Sequence, residues 1–247
     1  MQEFGSRTDA RVVYLHEPRA GASRARNLGL RTATQPYVTF LDDDDEFERN
    51  HLLSLWSSAS PDSVVVSWLT DVDEDGTVLT DTPARRRYLG LADRRAPLDL
   101  HPEFLGFNAG KLIPADAARR SAYPTDLASG EDVVYMAGLL AMGLSVIAAA
   151  PLDDAGYVRH RRHGSVSRND RGFDFYVTDR LQVLRALEDL RSGLETPEQS
   201  SAIDRLQVGQ RNFVKGYLTE NPERRPEARD SAQALGLLSL GALEGLL

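Results

Sequence analysis

Residues 40–48, FLDDDDEFE, set six carboxylates in the seven positions from Asp42 to Glu48. An acidic run is ordinarily a solvated face. This one follows directly on the apolar stretch Tyr37 to Leu41, so its carboxylates crowd at the end of a buried strand. Crowded carboxylates repel one another, and a bound hard cation relieves the repulsion. Cations of the Mg²⁺ type bind through one or two carboxylates and take other ligands from phosphate oxygens. The pattern favours metal–phosphate chemistry over a solvated face. A basic stretch, Arg159 to Arg168, holds four arginines and two of the five histidines. In a chain of net charge -8 it points to an anion, and bidentate arginine suits a diphosphate. The competing reading of that stretch is a basic surface loop or a patch for an acidic partner. Asp71, Asp73, Asp75 and Gly76 imitate the start of a calcium loop, but position twelve is Thr82 where a bidentate Glu is needed. They read as a hairpin turn.

The elements that must position these residues follow from pattern. Arg11 to Leu15 (RVVYL) is a short β-branched run suited to a buried strand. Ser23 opens a helical segment that Pro36 ends, and Tyr37 to Leu41 reads as a second buried strand. Strand, helix and strand within about thirty residues imply a parallel βαβ unit, with Asp42 to Asp45 at the carboxyl edge where ligands bind in open α/β sheets. Ser63 to Leu69 and Thr77 to Leu79 read as a hairpin around Asp75-Gly76, and Arg85 to Asp99 as an exposed connection. The stretch from Val133 to Leu152 is uncharged and long enough to span a bilayer. Its Ala and Gly content and the break at Gly143 favour a buried helix to Met142 and a strand from Leu144 to Ala149. From Phe173 the pattern is helical, with Val177, Leu181, Leu184, Leu187 and Leu190 on one face. Thr196-Pro197-Glu198-Gln199 has the form of a capping box with proline at the first helical position. Ile203, Leu206, Phe213, Tyr217 and Leu218 carry the apolar stripe of the helix that follows.

Composition bounds the rest. The 247 residues are 41% hydrophobic and 27% charged, an ordinary globular balance with enough chain for a sizeable core. The absence of cysteine excludes disulfides, thiolate nucleophiles and cysteine-ligated metals. An acidic balance of 37 Asp and Glu against 29 Lys and Arg argues against a nucleic-acid coat. No secretory signal is visible, so the expectation is a cytoplasmic chain without a transmembrane segment.

Three segments in order carry a resemblance. GASRARNLGLRTATQPYVTFLDDDDEF (21–47), SGEDVVY (129–135) and YVRHRRHGSVSR (157–168) resemble the donor-binding core, the "ED" motif and the basic loop of family 2 glycosyltransferases, which have the GT-A fold. The resemblance implies an α/β architecture, a Rossmann-like and mostly parallel sheet. It would be N-terminally incomplete, spanning residues 1–172, with a C-terminal helical region over 173–247. The family's opening "PTYN" and "DDGS" elements have no counterpart before Arg11, which is read as a missing front.

By the same resemblance the activity is an inverting, metal-dependent transfer of a sugar from a nucleoside-diphosphate sugar to an acceptor hydroxyl. The hydroxyl would belong to a saccharide, a lipid-linked glycan or a small molecule. Asp42 and Asp44 match the two DXD acids, with Asp44 as the direct ligand of Mn²⁺ or Mg²⁺. Asp43 and Arg26 belong to the nucleotide side, and Arg162, His163 and Ser167 to a loop closing over the nucleotide. Asp132 matches the catalytic base, and Glu131 orients the acceptor or tunes Asp132 by like charge. Two other readings compete. One is a non-catalytic, truncated transferase module whose helical tail mediates assembly, with homo-oligomers formed through those helices. The other is a different metal–nucleotide enzyme, such as a nucleotidyltransferase.

Overall fold

The computed structural model describes residues 12–91, 95–161, 172–238 and 243. Val12 to Leu15 form no regular structure, and Tyr14 is 87% exposed. The expectation of a buried strand there is corrected. Strand propensity expresses itself only where a neighbouring strand completes the ladder, and no described strand lies beside these residues. The βαβ unit expected at this point is therefore absent from the described residues.

The chain then builds α1 (Ala22–Thr32), β1 (Tyr37–Val38), β2 (Glu46–Phe47), α2 (His51–Ser57), β3 (Ser63–Val66), β4 (Leu69–Asp73) and β5 (Val78–Leu79). After these come α3 (Pro83–Leu91), β6 (Arg95–Pro97), β7 (Lys111–Pro114), α4 (Ala115–Arg120), α5 (Glu131–Gly138), β8 (Ser145–Ala148) and β9 (Tyr157–Arg161). Three further helices follow: α6 (Asp179–Arg191), α7 (Pro197–Glu220) and α8 (Arg225–Ala234).

Two sheets result, a five-stranded one in the order β1-β7-β3-β8-β6 and a four-stranded one in the order β2-β9-β4-β5. The α/β class holds, but the sheets are mixed where a mostly parallel one was expected. Among the described strands only β3 with β8 and β4 with β9 run parallel, in registers such as Val65 to Ile147 and Asp71 to Arg159. β7 reverses between β1 and β3, and β5 folds back on β4 across Gly76, whose φ of 82° suits a tight turn. The acidic run Asp42 to Asp45 forms the link between the two sheets, after β1 and before β2.

Other sequence expectations are redrawn. The hairpin is β4–β5 alone, and β3 belongs to the other sheet. The segment read as an exposed connection is α3 and β6, with Leu91 and Leu98 buried because they cap the main apolar cluster. The uncharged stretch divides much as read, into α5, a 3-10 turn over Leu139–Met142, left-handed Gly143 and β8. Among the described residues no helix is long and apolar enough to cross a membrane. The capping box is present: Gln199 N donates to Thr196 Oγ1, and the Gln199 side chain accepts from the Thr196 backbone.

Val183 and Leu187 of α6 and Ile203 and Leu206 of α7 share one buried cluster with Val64, Val133, Tyr135 and Val146. The C-terminal helices thus complete the core beneath α5. A second cluster, around Phe173, Leu181, Val214 and Ala228, belongs to the helices themselves.

Candidate active site

Arg26 stands at the centre. It lies in the second turn of α1, and its guanidinium donates to Asp42 through Nη2 and to Glu131 through Nη1, each at 2.9 Å. The bond to Glu131 reaches across 105 positions of sequence. The arginine also lies 5.4 Å from the ring centre of Tyr123, which stacks on Tyr135 with centroids 3.8 Å apart. Asn27, next along α1, clasps the Tyr123 backbone from both sides, donating at 2.8 Å and accepting at 2.9 Å. The "ARN" triplet therefore docks α1 on the segment that leads into α5.

The acids of the run divide into different situations. Asp45 is held by the Tyr157 hydroxyl at 2.7 Å and by the His160 backbone N–H at 3.0 Å. Burial still raises its pKa above the usual carboxylate range, against those two hydrogen bonds. Asp42 is committed to Arg26, and its backbone N–H donates to the Tyr157 hydroxyl at 3.3 Å. Asp43 is exposed, while Asp44 is half-buried and makes no hydrogen bond or ion pair among the described residues. Asp43, Asp44 and Asp45 line a cleft of about 690 Å³ with Asp73, His160 and Arg161.

Among the described residues no group of three or more His, Asp or Glu side chains could by itself hold a metal ion. A hard cation that draws most of its ligands from phosphate and water needs one or two carboxylates. The uncommitted carboxylate of Asp44 fits that requirement.

Glu131 and Asp132 open α5, where their charge complements the helix dipole. Gly130 before them adopts φ 85°, and a side chain there would run into Val183 and Arg180 of α6. Asp132 accepts from the Val133 N–H at 2.8 Å. Burial, and then the adjacent charge of Glu131, push its pKa up to about 6. A carboxyl poised near neutrality suits a general base.

Two more charged groups lie near the site, Lys111, which no motif marks, and Arg159, the first residue of the basic stretch. Lys111 of β7 is buried, with Nζ donating to the Phe107 carbonyl at 2.5 Å and lying 3.6 Å from the centre of the Phe107 ring. Burial holds its pKa well below the usual lysine value, and the charge of Asp132 opposes that shift. Arg159 makes a bidentate ion pair with buried Asp71, at 2.6 and 2.9 Å across β4 and β9. Arg159 to Arg161 are strand rather than loop, because their pairing with β4 is complete. Arg159 is therefore structural, and His160 turns its ring to Glu46 at 3.2 Å. Arg162, His163 and Ser167 lie outside the described residues.

Residues 1–117 match the family model for glycosyl transferase family 2. Glycosyltransferase GlyA of Streptococcus pneumoniae is 42% identical over 55 residues, 22% of this chain and 8% of that protein. An uncharacterized glycosyltransferase of Rickettsia bellii is 43% identical over 44 residues, 18% of this chain and 6% of that one. Residues 1–349 of S. aureus TarS superpose with a TM-score of 0.56 at 15% identity, covering 85% of this chain and 58% of that one. The same protein in complex with UDP-GlcNAc gives 0.59 at 16% identity, with 88% and 60% covered. The chain spans under two thirds of these solved structures and a small part of the sequence relatives. Residues 1–117 are thus similar to glycosyl transferase family 2, and the chain has the GT-A fold of the TarS structures.

Proposed function

We propose that the chain transfers a sugar from a nucleoside-diphosphate sugar to an acceptor hydroxyl, with inversion at the anomeric carbon. The observation that carries the reading is the double ion pair of Arg26, which ties the acidic run to the acidic pair through one guanidinium. A donor-side and an acceptor-side function are thereby held at a fixed spacing. Asp132 takes the proton of the acceptor hydroxyl as that oxygen bonds to the anomeric carbon. The bond from that carbon to the diphosphate oxygen breaks with its electron pair left on the diphosphate. Glu131 keeps Asp132 proton-avid by like charge, and Arg26 limits the repulsion between them. A divalent cation held through Asp44 neutralises the leaving diphosphate when bound. The UDP-GlcNAc complex of TarS supports a nucleotide sugar as donor class.

The test is incubation with Mn²⁺ and a panel of nucleotide sugars, reading nucleoside diphosphate released. Release is expected, and it is expected to fall with Asp44→Ala and with Asp132→Ala. Release indifferent to both substitutions overturns the assignment, and pyrophosphate as the product points to a nucleotidyltransferase.

A further inference from the structure

One face of α7 stands uncovered among the described residues. Gly209, Phe213, Gly216 and Tyr217 recur at helical spacing and line two cavities that meet at Phe213. The first, about 410 Å³, reaches Gly106 and Val133, the residue after Asp132. The second, about 660 Å³, is walled by Tyr176 and Tyr217 and rimmed by Asn212, Glu220 and Asn221. From Arg205 to Glu220 the face runs about 22 Å along the helix axis.

Three observations mark it as a binding surface. Glycine is among the poorest helix formers, yet Gly209 and Gly216 sit inside α7 with no described atom beyond their own helix backbone and chain neighbours within 4 Å of where a side chain would stand. Neither internal packing nor a left-handed backbone requires them, so they keep the helix surface open to close approach. Next, Phe213 is 44% exposed although the apolar stripe would bury it. Behind it lies Arg180, 4% exposed, which donates to Gln210 at 3.2 Å while its Nε and Nη2 have no hydrogen-bond partner among the described residues. Last, the end nearest Asp132 carries Arg87 and Arg205, whose guanidinium groups donate only to backbone carbonyls among the described residues. Glu103, also on that wall, is already paired with His101.

Aromatic faces with amide and carboxylate groups at their rims suit pyranose rings, whose C–H faces pack on the rings while the hydroxyls find partners. Unpaired arginines at one end suit a negative charge on that ligand. We propose that this face of α7 binds an anionic saccharide chain and leads its end to Asp132 as the acceptor. The proposal rests on the transfer reading only in calling the occupant an acceptor, and its test needs neither donor nor turnover.

Isothermal titration of the whole chain with hexagalacturonate and with neutral maltohexaose is the experiment. Hexagalacturonate is expected to bind at least tenfold more tightly. Phe213→Ala and Tyr217→Ala are expected to weaken binding at least tenfold, and Arg87→Gln with Arg205→Gln to erase the preference for the anion. Gly209→Ala and Gly216→Ala are expected to raise the thermal midpoint while weakening binding, an opposition that a merely structural role of the glycines would not produce. Two outcomes overturn the proposal: neither probe binds, or the groove variants bind as well as the unmodified chain. A dimer in solution that Phe213→Ala dissociates also overturns it, in favour of a second copy as the occupant.

Discussion

Arg26 donates to Asp42 and to Glu131 at the same 2.9 Å, so one guanidinium orients both carboxylates. The arrangement makes a single arginine responsible for both stability and spacing. A charge-assisted hydrogen bond is worth about 1.5–3 kcal/mol, less where a partner is exposed as Asp42 is. Arg26→Gln is expected to lower unfolding free energy by about 1–2 kcal/mol in urea titrations. It is also expected to reduce transfer more than Arg26→Lys, because a point charge cannot serve two carboxylates in the geometry of a fork.

As the proposed base, Asp132 is expected to set the acid limb of the rate. Its pKa near 6 means that the base is ionised above that pH and protonated below it. Transfer is expected to rise with pH through about 6, and Asp132→Asn to lose about 10²–10⁴ of it. Stability runs the other way. A carboxyl whose folded pKa exceeds its unfolded value of about 3.9 destabilises the fold once ionised. Asp132→Asn is expected to melt above the unmodified chain at pH 8, with the advantage fading below pH 4.

His51 provides a second pH handle. It is buried against Phe47 with ring centroids 4.3 Å apart, and Nδ1 donates to the Ala155 carbonyl at 3.1 Å. Burial lowers its pKa, so the folded state favours the neutral ring. Its contribution is complete above the unfolded value of about 6.5 and is lost as pH falls below it. His51→Phe is expected to cost about 1–3 kcal/mol at pH 8, because the Ala155 carbonyl loses its donor. The same variant is expected to show a shallower loss of stability between pH 7 and 5 by denaturant titration.

Asp44 and Tyr157 are expected to separate activity from stability. Tyr157→Phe releases Asp45 and is expected to cost about 1–2 kcal/mol. Asp44→Asn breaks no contact among the described residues and is expected to shift stability by no more than about 0.5 kcal/mol. Its turnover, in contrast, is expected to lose its response to added Mn²⁺, read by titrating the metal after chelation.

What the sequence disclosed was whatever is local. The acidic pair at the start of α5, the break at Gly143 and the Thr196 capping box each depend on residues within one turn. What it concealed depends on partners far along the chain. Val12 to Leu15 have strand composition but no adjacent strand among the described residues. Tyr157 reads as the first residue of the basic loop segment 157–168, and its hydroxyl's bond to Asp45 spans 112 positions. Lys111 reads as a polar interruption of an apolar stretch, and its place beside the site appears only when β7 sits between β1 and β3. The acids of the run could not be told apart by type. Their contacts distinguish them, with Asp45 fastened, Asp42 bridged and Asp44 left free.

Gly130 carries a consequence for anyone recombining this scaffold. Its backbone turns where α5 begins, and its missing side chain is what lets Val183 and Arg180 lie against that turn. The first residues of α5 are seated on the C-terminal helices much as a blade is seated in its handle. A chimera that keeps the sheets but takes its last three helices from another protein inherits a new seat for Asp132. Matching that seat at positions 180 and 183 matters more to such a graft than matching the helix lengths.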